Sequence, residues 1–130
     1  ALIKPTFSLS YGLVKKKWFA QMQFDYLHIR KDLFEDYYED TSQISKENMI
    51  AFLEANTSYE IKSSLQDVHA KVHIVVGEKE QKKMICSAEQ LHKALPGSIL
   101  EIKKGLYHGE YSINYPEDYT KELLDMIDAQ

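Results

Sequence analysis

A histidine loop and a short acidic segment hold the residues whose types and spacing could do chemistry. His108 lies between glycines in the segment 105–109, where an apolar run ends, and Glu78-Lys79-Glu80 follows an earlier β-branched run. Imidazole exchanges protons near neutral pH and can act as a general base, while a carboxylate beside it orients the ring and stabilises its charged form. The alternative is that both glutamates are solvated loop charges.

Two short apolar runs, residues 72–76 and 99–102, are predicted to be the strands that carry these groups. The helix predicted between them ends at Pro96-Gly97 and has one apolar side, formed by Ile85, Ala88, Leu91, His92 and Leu95. The order strand, helix, strand indicates a βαβ unit with parallel strands, the first of them buried on both faces. The carboxyl ends of such strands form one edge, so His108 and the acidic segment are expected to meet there.

The first half of the chain is predicted to be helical, because residues 13–95 contain no proline and only one glycine, Gly77. Apolar residues recur at steps of three or four in one stripe, formed by Val14, Trp18, Met22, Tyr26, Ile29, Leu33 and Tyr37. This stripe drifts around a helix with 3.6 residues per turn, which predicts two helices, or one bent helix, with a break within residues 24–28.

Two further helices are indicated by their starting residues. Ser45 is of a type that caps helix N-termini, and the helix after it is expected to bury Met49, Ile50 and Leu53, with Thr57 at the end of that face. Residues 59–66 are interpreted as a short helix or a linking segment. Pro116 is placed near the first position of a closing helix, whose predicted inner face consists of Tyr119, Leu123, Met126 and Ile127.

Length and composition set the class of protein. A chain of 130 residues is long enough for one domain with its own core. The net charge of −4 disfavours nucleic-acid and anionic-membrane partners, and no apolar run reaches the length of a membrane span. The single cysteine, Cys86, excludes an internal disulfide framework and fits a reducing, cytoplasmic location.

Two other patterns could do chemistry, but both lie in the wrong context. The segment 8–12 nearly matches the Gly-x-Ser-x-Gly turn of a nucleophilic serine, with Ser10 as the candidate, yet Pro5 leaves too little chain for the strand that such a turn requires. His69 and His73 have the spacing of metal ligands on a helix, but residues 71–76 are predicted to be strand and no third ligand is near in sequence. The sequence therefore predicts no metal site and no cofactor.

The predicted domain organisation is an irregular lead-in over residues 1–12, a helical segment over 13–66 and a βαβα part over 67–130. Two parallel strands are too few for an independent sheet, since parallel strands are normally covered on both faces and flanked by further strands. We therefore expect the sheet to be completed by a second copy of the chain or by a missing N-terminal half.

With these residues described, the segment 65–127 resembles the C-terminal end of the α/β-hydrolase family. The matching pieces, in order, are the segments 72–80, 87–91, 96–98, 105–109 and 114–119. They resemble the family's penultimate strand with its acid loop, the following helix, the last strand, the catalytic-histidine loop and the closing helix. The helical segment before them is similar to the cap, or lid, of many members.

This resemblance implies an α/β fold that is the C-terminal fragment of an α/β-hydrolase fold, with a helical cap followed by a parallel βαβ unit and a closing helix. It implies that His108 is the general base and that Glu80 is at the position of the acid, where aspartate is more usual. The chain lacks the family's nucleophile turn and oxyanion loop. The implied whole protein is a serine hydrolase of a small-molecule acyl substrate, and the isolated chain is expected to be inactive.

The alternative is a binding or interaction module without catalytic activity. In this hypothesis the aromatic helices over residues 14–38 form a partner surface, and the βαβ unit is scaffold. A homodimer that completes its sheet between chains is compatible with either function.

Overall fold

The computed structural model describes residues 11–128. The chain divides after Glu60 into two compact units. Most of the predicted lead-in, including Ser10, lies outside the described residues. The described chain is helix-rich with one small parallel sheet, and is therefore α/β in its broad class.

Within its described residues, the N-terminal unit contains a helical stretch over residues 11–14 and then three α-helices: α1 (Lys17–Tyr26), α2 (Phe34–Gln43) and α3 (Lys46–Ser58). The predicted break between the first two is confirmed, since α1 ends at Tyr26 and a short 3-10 turn, Lys31–Leu33, leads into α2. His28 in this connection has a φ of 57°, the left-handed conformation that interrupts a helix. The predicted cap is also confirmed, because the Asn48 N–H donates to Ser45 Oγ at 3.2 Å.

The core of this unit is formed by Ala20, Phe24 and Phe34. The Phe24 ring lies 5.4 Å from the Phe34 ring and 5.2 Å from the Tyr37 ring. On α1 the predicted apolar stripe through Trp18 and Met22 does not face this core, since the two side chains are 63% and 55% exposed. The reason is that α1 is apolar on two faces, and the small Ala20 allows α2 to approach the other one.

Helix α3 also departs from its predicted packing. Met49, Ile50 and Leu53 are only half-buried, and Thr57 is exposed. The Thr57 hydroxyl donates to the Leu53 carbonyl of its own helix at 2.8 Å instead of packing against a neighbour. The expected buried face is therefore only partly covered within residues 11–128.

The C-terminal unit follows the predicted order of elements. Its elements are a 3-10 turn (Ser63–Asp67), β1 (His73–Gly77), α4 (Lys82–Ala94), β2 (Ile99–Lys103), α5 (Glu110–Asn114) and α6 (Pro116–Asp128). The strands pair in parallel, in register from His73 opposite Ile99 to Gly77 opposite Lys103. The predicted βαβ unit and the start of the closing helix at Pro116 are confirmed, whereas the short helix α5 was not predicted.

The burial predicted for the sheet and the closing helix was wrong. No residue of β1 is buried, and Ile99 and Ile102 of β2 are 61% and 48% exposed. On α6, Met126 is half-buried while Leu123 and Ile127 are exposed. The physical reason is that the described sheet has only two strands, so few side chains are available to cover either surface.

None of the helices within residues 11–128 combines the length and the apolar character needed to cross a membrane.

The packing of α1 gives a direct test. Replacing Phe24 by Ala removes a ring that is 1% exposed and should lower the free energy of unfolding by about 3 to 5 kcal/mol. Replacing the exposed Trp18 by Ala should lower it by less than about 1 kcal/mol. Urea titration followed by circular dichroism measures both. Equal losses for the two variants would contradict the assigned core.

Candidate functional site

The parallel pairing brings two loops to the same end of the sheet. Past the last strand pair, the Glu78 N–H donates to the Lys103 carbonyl at 2.9 Å. One residue further, the Lys79 N–H donates to the Leu106 carbonyl, also at 2.9 Å. These bonds extend the pairing beyond the strands and hold the acid loop, residues 78–80, against the histidine loop, residues 105–109.

The predicted pair of side chains meets at this end. His108 Nδ1 lies 2.6 Å from Glu80 Oε2, and the other oxygen, Oε1, accepts the Gln81 N–H at 3.0 Å. A tight turn in which the Glu80 N–H donates to the Gly77 carbonyl at 3.2 Å aims the carboxylate back at the histidine loop. The structure therefore places Glu80 and His108, which are 28 residues apart, in direct contact.

Burial and charge give the two groups different chemical roles. The Glu80 side chain is only 7% exposed, whereas that of His108 is 67% exposed. An ionised carboxylate only accepts hydrogen bonds, so in this contact Nδ1 of His108 carries the proton. Nε2 is then the ring nitrogen left to take a proton from a substrate or nucleophile. This is the arrangement of a general base with a buried acid that orients it.

Gly77 allows the histidine loop to lie on the end of β1. A Cβ atom at this position would come within 2.3 Å of the Leu106 carbonyl oxygen and 2.8 Å of that of Tyr107, closer than a carbon atom can approach an oxygen without a clash. At the start of the loop, Gly105 has a φ of 75° in a turn closed by the Leu106 N–H and the Lys103 carbonyl at 3.4 Å. A positive φ at this point of a turn favours glycine.

A second polar cluster surrounds Lys103, and it was not predicted from the sequence. The Lys103 ammonium lies 2.8 Å from Glu101 Oε1 and 2.5 Å from Glu122 Oε1. His73 Nε2 lies 3.1 Å from Glu101 Oε2 without forming a hydrogen bond. Alternation along β2 and the parallel register could have placed His73, Glu101 and Lys103 on one sheet face, but nothing local in the sequence brings Glu122 to them.

Charge pairing shifts the pKa values of Lys103 and Glu122. Burial alone would lower the pKa of Lys103, but hydrogen bonds to Glu101 and Glu122 outweigh it and raise that pKa above its usual value. The hydrogen bond from Lys103 holds the pKa of Glu122 below its usual range, although burial acts in the opposite direction. Both groups are therefore charged at neutral pH.

The cluster has a donor set that could hold a metal. Ligand atoms of His73, Glu101 and Glu122 lie within 4.8 Å of one another. The Lys103 ammonium already contacts both carboxylates and neutralises part of their charge. We therefore assign no metal here. His69, the other candidate ligand in the sequence, is not part of this set.

Each unit also contains an open cavity. In the C-terminal unit a cavity of about 280 Å³ lies beside the histidine loop and is lined in part by His73, Tyr107, Tyr111, Glu122 and Met126. In the N-terminal unit a more apolar groove of about 550 Å³ lies between the helices and is lined in part by Val14, Tyr37, Ile44, Met49, Phe52 and Leu53.

Comparison with known proteins identifies no relative. No protein-family model matches the chain, and neither a curated protein nor a solved structure matches it.

The close approach at Gly77 predicts a strong position effect. Replacing Gly77 by Ala should lower the free energy of unfolding by about 2 to 3 kcal/mol, because the new Cβ collides with backbone that cannot move without disrupting the histidine loop. The matched change Gly97→Ala meets open space at an ordinary φ and should stay within about 0.5 kcal/mol. A Gly77→Ala protein as stable as the unmodified one, measured by urea titration, would refute the assigned contact.

The lowered pKa of Glu122 predicts a pH dependence. A carboxylate whose pKa is lower in the folded state stabilises the fold above its unfolded pKa, and this contribution is lost as the pH falls through the folded value. Glu122→Gln should cost about 0.5 to 1 kcal/mol at pH 7, since the group is partly exposed and screened by solvent.

Thermal unfolding of the Glu122→Gln variant and the unmodified chain between pH 7 and pH 3 measures this difference. We expect it to shrink below about pH 4, near the usual glutamate pKa. The exposed Glu89→Gln serves as control and should show no such trend. A Glu122→Gln difference that stays constant across this range would rule out the assigned ion pair.

Proposed function

We propose that this chain is the cap and C-terminal part of a serine hydrolase with an α/β-hydrolase fold, which acts on a small-molecule acyl substrate. His108 serves as the general base, and Glu80 orients its ring and stabilises the imidazolium. The observation that carries the proposal is the 2.6 Å contact between Glu80 Oε2 and His108 Nδ1 at the carboxyl ends of two parallel strands.

Two features of this contact support catalysis over a surface ion pair. A solvated pair exposes both partners, whereas here the acid is buried and only the imidazole is accessible. Both loops are fixed by backbone hydrogen bonds to each other, so the ring is held in position before any substrate arrives. A base held this way can take the proton from a serine hydroxyl as the hydroxyl attacks an acyl carbon, and then return it to the leaving group.

We propose that the nucleophile lies in another part of the fold, within a longer polypeptide to which this chain belongs. Ser10 lies outside the described residues, and its sequence context lacks the strand that a nucleophile turn needs. The small, half-covered sheet supports a larger sheet in the complete protein, because parallel strands are normally covered on both faces. The partner is then the N-terminal half of the same fold.

A second candidate function is an interaction module. Trp18, Met22 and Tyr26 are spaced four residues apart on α1, and all three are more than half exposed. Large exposed apolar and aromatic residues along one helix face are typical of protein contacts. In this case the partner docks on α1, and the sheet end has no chemical role. A second copy of the chain is one such partner, and sedimentation velocity of the isolated chain measures that association.

Kinetics distinguish the two functions. In the longer polypeptide encoded by the upstream reading frame, His108→Ala should lower kcat/KM for an activated ester by a factor of about 10³ or more. Glu80→Gln should lower it by about 10² or more, while the exposed His69→Ala serves as a matched control and leaves it unchanged. Unchanged turnover in the His108→Ala variant would remove the proposed role and favour the interaction module.

A further inference from the structure

A second carboxylate, that of Glu78, connects the two loops of the proposed site. Glu78 Oε2 accepts the Gly105 N–H at 2.8 Å, while the backbone N–H of Glu78 donates to the Lys103 carbonyl at 2.9 Å. The Glu78 side chain thus bonds to Gly105 and its backbone bonds to Lys103, the two ends of the junction between β2 and the histidine loop. Glu78 lies two positions before the acid, and Gly105 lies three positions before the base.

Apart from the bond between the Lys79 N–H and the Leu106 carbonyl, the backbone of the histidine loop does little to fix this junction. The turn at 103–106 is closed by one long bond of 3.4 Å, and Gly105 adopts a positive φ with nothing within 4 Å of where a Cβ would be. The loop therefore has no side chain at Gly105 to pack against the acid loop. The Glu78 carboxylate instead holds Gly105 by accepting its backbone N–H. The charge of the carboxylate makes this hydrogen bond stronger than one between neutral groups.

A similar bond fixes the loop on the other side of the junction. Glu110 Oε2 accepts the Tyr107 N–H at 2.8 Å, and its Oε1 accepts from the Asn114 side-chain amide at 3.3 Å. The N–H groups of Gly105 and Tyr107 are thus each held by a carboxylate, directly before His108. Glu110 comes from the helix that the loop itself enters, so of the two carboxylates only Glu78 links the histidine loop to the acid loop, alongside the backbone bond from the Lys79 N–H to the Leu106 carbonyl.

From this geometry we propose that Glu78 is a positioning residue for the proposed catalytic pair: it holds the histidine loop in the register at which His108 Nδ1 meets Glu80. The inference rests on the proposed function for its catalytic meaning. The distance between the His108 and Glu80 side chains, in contrast, is a property of this chain and does not depend on a substrate.

Hydrogen exchange at His108 tests the claim in the isolated chain. The Nδ1 proton, bonded to a buried carboxylate, should give a resolved imidazole N–H resonance that is absent in Glu80→Ala. Glu78→Ala should raise its exchange rate with solvent at least about tenfold, the size expected for loss of a hydrogen bond to a charged acceptor. Glu78→Gln keeps an acceptor oxygen and should restore most of the protection. The exposed Glu89→Ala should have no effect.

Amide exchange in β1, for example at Val76, separates positioning from folding. We expect the Val76 amide to exchange at the same rate in Glu78→Ala and in the unmodified chain. Unchanged protection of the His108 proton in Glu78→Ala, or a parallel loss at Val76, would overturn the proposal. Both readouts are independent of turnover. If the longer protein were inactive but Glu78→Ala still raised the exchange rate of the His108 proton, the proposed function would be disproved and the positioning role of Glu78 would stand.

Discussion

The parallel pairing of β1 with β2 is the constraint on which the rest of the C-terminal unit depends. Because both strands run in the same direction, both following loops leave the sheet at one end, and backbone hydrogen bonds continue from strand to loop. Gly77 permits the close approach, since any side chain there would collide with the Leu106 carbonyl. The contact between Glu80 and His108 is a consequence of this backbone arrangement more than of side-chain packing.

The two loops at the end of the sheet are fixed by hydrogen bonds, whereas few side chains around them are buried. Among the described residues of the C-terminal unit, only Leu95 and Ser98 are buried as whole residues, although the side chain of Glu80 is also covered. The Lys103 ammonium links the sheet to α6, because it contacts both Glu101 of β2 and Glu122 of α6. A fixed pair of functional groups on a sparsely packed scaffold is what we expect if more of the sheet is supplied by another part of the same protein.

Sequence reasoning predicted the features that depend on local pattern. The β-branched run predicted a strand over 72–76, and the observed strand β1 begins and ends one residue later. Because loops meet at the carboxyl ends of parallel strands, Glu80 was expected beside His108. Sequence reasoning failed where two apolar faces compete, as on α1, because periodicity alone does not say which face the neighbouring helix covers. It also failed at Glu122, whose contact with Lys103 depends on how a distant helix docks.

The most direct measurement is covalent labelling by a serine-directed fluorophosphonate, read by mass spectrometry, on the polypeptide extended upstream through the reading frame. We predict one stoichiometric adduct, on a serine within a Gly-x-Ser-x-Gly turn that precedes this chain, and a much slower reaction when His108 is replaced by Ala. An adduct on Ser10, or no serine adduct in the extended protein, would contradict it.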